Sequence, residues 1–199
     1  MLKSDSNQSF AIRRARPDDL GAMPELFRAA SNGASDYFVK QMGEANDTPL
    51  QSFERMFCDP DGDYSYTKIW IAEIDGHTAG LLNGVPVGDK YDAGELNEDP
   101  VFQPFLELEM PNSWCMQMLS VSPKARKLRI GSRFISLAEE GARRHAKTKV
   151  SLTVQEENTP AHRLYLKTGF VETDRKPLVG APPIFVPKGD LIQMAKRLD

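Results

Sequence analysis

The run from Trp114 to Lys147 constrains this chain more than any other: an apolar strand, a short basic turn, and then a long amphipathic helix. Trp114 to Val121 is apolar on both faces, as a strand at the centre of a covered sheet must be. Gly131 to Lys147 places Phe134, Leu137, Ala138, Ala142 and His145 on one stripe. Arg133, Ser136, Glu139, Glu140, Arg143 and Arg144 fall on the opposite face. Arg143, Arg144 and Lys147 complement the negative end of the helix dipole. A strand feeding such a helix belongs to a layered α/β domain.

The remaining segments agree with that class. Phe10–Arg14 reads as a first strand. Pro17 and an acidic first turn open a helix over Asp18–Ala30, with Leu20, Met23, Leu26, Phe27 and Ala30 at helical spacing and Asn32-Gly33 as its end. Further helices are expected at Asp36–Met42 and Pro49–Phe57. Tyr66–Ile74 reads as a strand, Asp75-Gly76 as a hairpin turn and His77–Val85 as its partner. Residues 84–112 form an acidic, loop-rich insertion with a short helix at Pro104–Met110. Val150–Val154 alternates as a strand. Asn158 caps a helix marked by Ala161, Leu164, Tyr165 and Thr168, which Gly169 closes. Phe170–Asp174 and Leu191–Arg197 are the last strands. We therefore expect one domain over residues 1–199, built on a mixed sheet with helices on both faces.

Composition excludes several classes of function. A net charge of -3 and a pI of about 5.7 give no bulk attraction to nucleic acid. No apolar run approaches the ~20 residues of a membrane span, and the polar stretch Met1–Phe10 has no signal-peptide core. A cytoplasmic protein without membrane or nucleic-acid partners is the expectation. Cys58 and Cys115 form no C-x-x-C pattern and are expected to be reduced. With only His77, His145 and His162 beside them, no metal site is expected.

Chemistry enters at the turn between Val121 and the long helix. Lys124, Arg126, Lys127 and Arg129 put four positive charges within six residues, next to a helix N-terminus whose free N–H groups favour an anion. Such a loop binds a phosphate or is simply a solvated surface. The continuation decides between the two. Val121-x-Pro123, Arg126-x-x-Arg129-x-Gly131 and Asn158-x-x-Ala161-x-x-x-Tyr165-x-x-x-Gly169-Phe170 together resemble the GNAT superfamily of acetyltransferases. The resemblance covers Trp114–Phe170 as the cofactor-binding core.

The resemblance implies a mixed, mostly antiparallel sheet and acetyl-CoA as the acyl donor, without a metal. It implies that backbone amides of Leu119, Ser120 and Val121 bind the pantetheine arm and polarise the thioester carbonyl. Arg126, Lys127, Leu128, Arg129, Ile130, Gly131 and Ser132 would hold the pyrophosphate, and Asn158 and Ala161 would lie beside the pantetheine. Tyr165 would protonate the departing thiolate. Arg129 stands where the family usually has glycine. A positive φ there would cost about 1–2 kcal/mol. The favoured alternative is that Arg129 offers its N–H to a phosphate without that strain, its side chain also reaching a phosphate of coenzyme A.

A lysine-like amine has a pKa near ~10.4, so acyl transfer to it needs a base. Of Glu107, Glu109 and Gln117 near the strand, Glu109 is chosen, while Gln117 can only orient a water or the substrate. Trp114, Met116 and Met118 read as core, and His162 as a surface residue. Asp89, Asp92, Glu95, Glu98 and Asp99 are either an acidic rim that attracts a cationic amine or an ordinary solvated loop. The expected activity is acetyl transfer from acetyl-CoA to a primary amine of a small molecule. Its rivals are transfer to a protein amine or of a longer acyl group, and a catalytically idle acyl-CoA sensor. Oligomeric state stays open, a homodimer being the commonest oligomer.

Overall fold

Residues 9–31, 33–89 and 98–199 are described by the computed structural model, so Asn32 and the polar N-terminal stretch to residue 8 lie outside it. Seven strands make one sheet: β1 (Ala11–Arg14), β2 (Ile69–Ile74), β3 (His77–Pro86), β4 (Trp114–Val121), β5 (Lys149–Gln155), β6 (Val171–Pro177) and β7 (Asp190–Arg197), in the order β1-β2-β3-β4-β5-β7-β6. Only β4 and β5 run parallel, and every other neighbouring pair is antiparallel. That pattern is the mixed, mostly antiparallel sheet expected from the motifs.

Alternate strand residues point to opposite faces, and each face is covered by helices. On one face α5 (Ile130–Arg144) and α6 (Thr159–Lys167) bury Phe134, Ala138 and Tyr165 against Leu82, Leu152 and Met194. On the other, α1 (Met23–Ser31) and α3 (Pro49–Cys58) bury Phe27, Phe53 and Phe57 against Ile69, Ile71 and Leu81. Phe27 meets the rings of Phe53 and Phe57 edge-on, at 6.2 and 5.1 Å between centroids, an arrangement that adds to the area they bury. A smaller cluster joins α2 (Ala34–Met42), the segment containing α4 (Gln103–Glu107) and the loop between β6 and β7, through Ala34, Val101 and Phe185.

Several boundaries differ from the sequence reading, each for a local reason. The helix expected from Asp18 is a 3-10 turn at Pro17–Asp19 followed by α1 from Met23. Asp19 is buried and tied back to the sheet: it accepts from Arg13 Nη1 (2.7 Å) and Nη2 (2.9 Å), the Arg16 N–H (2.7 Å) and the Thr78 hydroxyl (3.1 Å). Tyr66–Lys68 is a 3-10 turn closed by the Lys68 N–H on the Ser65 carbonyl, so β2 begins only at Ile69. α4 stops at Glu107 rather than Met110, and β3 continues to Pro86, one residue past the expected strand end at Val85. His145 is not on the buried stripe: α5 ends at Arg144, and the exposed imidazole Nδ1 lies 2.9 Å from the Gly141 carbonyl. Gly169 does close α6 in the left-handed region, with φ 93°.

Candidate active site

A β-bulge sets the geometry. Asn83 pairs with Met118 and Gly84 with Met116, leaving Gln117 as the extra residue of β4. The bulge switches the strand's alternation: Trp114 and Met116 pack beneath α5, whereas Met118 packs beneath α1 and α3. These three are core residues, as expected, although Met116 and Met118 also reach a cavity described below.

β4 and β5 then part. They pair only at Trp114↔Val150 and Cys115↔Ser151, where the buried Ser113 and Ser151 hydroxyls are 2.6 Å apart. Beyond that clamp, the edge of β4 turned toward β5 has no strand partner. At the far end of β5, Gln155 Nε2 donates to the Ser31 carbonyl (2.7 Å) and bridges the gap to the end of α1. A cavity of about 220 Å³ fills the opening, bounded by Cys115 to Leu119 of β4, Thr153 to Gln155 of β5, and Asn158 and Tyr165.

Glu109, just after α4, lines this cavity. Its Oε2 is buried without a hydrogen-bond partner among the described residues. Burial, with the charge of Asp63 as a second cause, raises its carboxyl to about 7. Gln117 Oε1 is buried and unpartnered in the same way. Glu107 takes no part: it is exposed and paired with Lys176 Nζ at 2.7 Å. The Cys115 thiol also faces the cavity, but burial and then Glu109 push it up to about 12, which leaves it protonated and a poor nucleophile.

Tyr165 is buried on α6 with its ring 5.7 Å from that of Phe170. Among the described residues its hydroxyl has no hydrogen-bond partner, and burial lifts the phenol well above its ordinary range. It is therefore fully protonated at neutral pH and can act as a donor. Asn158 caps α6, its Oδ1 accepting the Ala161 N–H at 3.4 Å. Both residues sit on the α6 side of the opening, where the Asn-to-Gly-Phe motif was expected to act.

The unpaired edge of β4 runs through Leu119, Ser120 and Val121 into the basic loop. Lys124, Arg126, Lys127, Arg129 and Ser132 are exposed, while Leu128 packs against the α5 core and Ile130 is buried in it. Arg129 departs from expectation: it adopts φ 63° and ψ 17°, and Lys127 adopts φ 71°. The chain must turn through the left-handed region to enter α5, and each non-glycine residue there costs about 1–2 kcal/mol. No side chain caps α5 and no acidic residue occupies its first turn, so its leading N–H groups face the loop without a built-in anion. Gly131 has a packing role: a Cβ there would come within 2.9 Å of Leu164, so its absence lets α5 and α6 touch.

Of the acidic residues in the insertion, Asp89 accepts from Asn112 Nδ2 (2.7 Å), and Asp99 accepts from the Tyr37 hydroxyl (2.7 Å) and the Val101 N–H (2.8 Å). Those two hold the insertion together, and Asp92 and Glu95 lie outside the described residues. His162 is 2.8 Å from Glu172 on the outer side of α6. Sequence reasoning named Cys115 only as a reduced thiol and did not name Ser113 or Gln155. The β4–β5 register makes the contacts of Cys115 and Ser113, and the approach of α1 to the end of β5 makes that of Gln155.

A free strand edge leading to an uncapped helix N-terminus and a basic loop suits a long anionic thioester. The sequence itself matches the acetyltransferase (GNAT) family over residues 25–170. The chain belongs to that family. It is an acetyltransferase that uses acetyl-CoA as donor. Its fold is similar to a crystal structure described as an acetyltransferase, with TM-score 0.64, 20% identity and coverage of 95% of this chain and 100% of that one. It is also similar to ribosomal-protein-alanine N-acetyltransferase from Brucella melitensis (TM-score 0.59, 20% identity, 94% and 99% covered). A third similar structure is PaiA N-acetyltransferase from Thermoplasma acidophilum in complex with coenzyme A (TM-score 0.53, 16% identity, 95% and 99% covered). No curated protein matches the chain in sequence. Among the described residues, no helix of this acetyltransferase is long and apolar enough to cross a membrane.

Proposed function

We propose that this acetyltransferase modifies the primary amine of a small molecule, with Glu109 as general base and Tyr165 as general acid. The observation that carries the reading is the unpartnered Glu109 carboxylate, held near neutrality in a cavity that opens between β4 and β5. A base whose pKa lies near the working pH is the most effective proton acceptor.

Acetyl-CoA supplies the acyl group as an activated thioester. Glu109 takes the proton that the amine nitrogen must lose, directly or through one water. As the new N–C bond forms, unpaired N–H groups along β4 meet the negative charge that develops on the carbonyl oxygen. The C–S bond breaks with its electron pair on sulfur, and Tyr165 returns a proton there. Arg126, Lys127, Arg129 and the first N–H groups of α5 hold the pyrophosphate, and the strand edge at Leu119–Val121 and the side chains of Asn158 and Ala161 hold the pantetheine.

A small acceptor is favoured over a protein because the cavity that Glu109 lines is small, about 220 Å³, and one of its walls is built from α2 and the segment around α4, which pack together through Ala34 and Val101 in one buried cluster. The Brucella ribosomal-protein-alanine N-acetyltransferase, similar in fold, is named for a protein acceptor, so peptides belong in the test. Release of free thiol from acetyl-CoA should be followed with a panel of small amines and with short peptides bearing a free N-terminus. Turnover with small amines is expected. Turnover with peptides alone would refute the acceptor assignment, and tight acetyl-CoA binding without turnover on any of them would indicate a sensor.

A further inference from the structure

Among the described residues lining the cavity, Glu109 is the only charged side chain. Much of the remaining wall is apolar and comes from α1, α2, α3 and the segment around α4: Phe27, Phe38, Met42, Met56, Phe102 and Phe105. Phe38 stacks on Phe102 at 4.3 Å with 25° between planes and meets Phe105 edge-on at 5.1 Å, so three rings form one rigid surface. The same cavity is lined by Glu109 and Gln117, each with a buried oxygen that has no partner among the described residues, Glu109 Oε2 and Gln117 Oε1. Both are acceptors. An isolated buried acceptor is costly, and two in one cavity call for a donor-only group with several N–H bonds.

We infer that the acceptor is a monocationic amine with an apolar, preferably aromatic, body, its nitrogen held between the Glu109 carboxylate and the Gln117 amide oxygen. This inference rests on the small-molecule reading above and narrows it. An ammonium group satisfies both oxygens, and its single charge is matched by the single carboxylate. A polyamine or a polyaminated sugar would place a second ammonium against phenylalanine and methionine, and no second carboxylate among the described lining residues compensates its lost hydration. A cavity of about 220 Å³ falls below the range of about 300–1,000 Å³ found for drug-sized ligands, so the body is on the scale of one ring and a short chain. The bulge explains why Gln117 serves. As the extra residue of β4 it escapes strict pairing with β3 and reaches the cavity as a polar side chain.

The test compares kcat/KM for 2-phenylethylamine, hexylamine, spermidine and an alanine-initiated tetrapeptide on the unmodified enzyme. 2-Phenylethylamine is expected to exceed spermidine by about tenfold or more, the discrimination that one mismatched group in a fitted pocket commonly produces. Gln117→Leu should raise KM for 2-phenylethylamine by about tenfold with kcat changed much less, since it removes an acceptor for the bound amine. Phe38→Ala should raise KM for 2-phenylethylamine and leave that for ethylamine nearly unchanged. Preference for spermidine would overturn this inference and leave the small-molecule reading standing. Acetylation of the tetrapeptide alone, or of none of the four, would overturn both. Because the ranking is measured on the unmodified chain, it decides the matter even if a variant fails to fold.

Discussion

Replacing Glu109 by Gln should make the protein more stable and far less active, and the pH dependence of the gain identifies its cause. In the folded chain the carboxyl is raised from 4.5 to about 7, first by burial and then by Asp63. Its folded pKa thus exceeds its unfolded one, so the folded state holds the proton more tightly. The ionised group opposes folding. That cost is absent below about pH 4.5, grows as pH rises toward 7 and is complete above it. At about 1.4 kcal/mol per unit the whole shift would correspond to roughly 3 kcal/mol. The side chain keeps some contact with solvent, which reduces the figure to about 1–2 kcal/mol. Glutamine carries no charge and removes the cost. Glu109→Gln should therefore melt about 2–8 °C higher than the parent at pH 8, with most of that gain gone at pH 5. Loss of a general base should lower kcat by about 10²–10⁴-fold. Thermal unfolding by circular dichroism at both pH values, with thiol release at pH 8, measures both effects. A variant no more stable at pH 8, or equally stabilised at both pH values, would refute the buried-charge argument. Turnover within tenfold of the parent would refute the role as base.

Tyr165→Phe removes a hydroxyl that has no hydrogen-bond partner among the described residues, so the fold should tolerate it while turnover falls at least about tenfold with coenzyme A affinity unchanged. Near-normal turnover would remove the assignment. Arg129→Gly should raise stability by up to about 1 kcal/mol, the relief of a left-handed arginine less the entropy of an added glycine. The same change should weaken coenzyme A binding and flatten its dependence on salt, both measurable by isothermal titration. Asn158→Ala should cost about 1 kcal/mol in thermal unfolding through loss of the α6 cap.

Local signals made much of this structure readable in advance. The apolar stripe of α5 is a property of contiguous residues, and so are the Asn158 cap, the left-handed Gly169 and the apolar character of β4. These features, with the family resemblance, point to the donor side of the site. Other features depend on pairings between distant segments. In the sequence Asp19 is an ordinary first-turn acid, and only the fold places Arg13 and Thr78 beside it. The bulge at Gln117 exists only in the register between β3 and β4, and no residue type announces it. Phe38, Phe102 and Phe105 become one wall only when α2 and the segment around α4 meet. Glu109 could be named as a carboxylate near the strand, but its raised pKa needed the depth of the cavity.

Several of the places where this chain departs from local rules lie along one path. Lys127 and Arg129 take left-handed backbone, Gln117 interrupts the strand ladder, and Glu109 and Gln117 leave buried acceptors unpaired. Each lowers stability on its own, and such departures persist where surrounding structure over-determines them. Here the supports are identifiable. Ser113 and Ser151 fix the closed end of the β4–β5 opening, Gln155 and Ser31 span its far end, and the contact of Leu164 with the bare Gly131 locks α5 to α6. These contacts are all made within the chain itself, so the polar groups need little reorganisation when acetyl-CoA and the amine arrive. The instability concentrated along this path is then the counterpart of a preorganised site, and relieving it at Glu109 should cost activity in the same step that it raises stability.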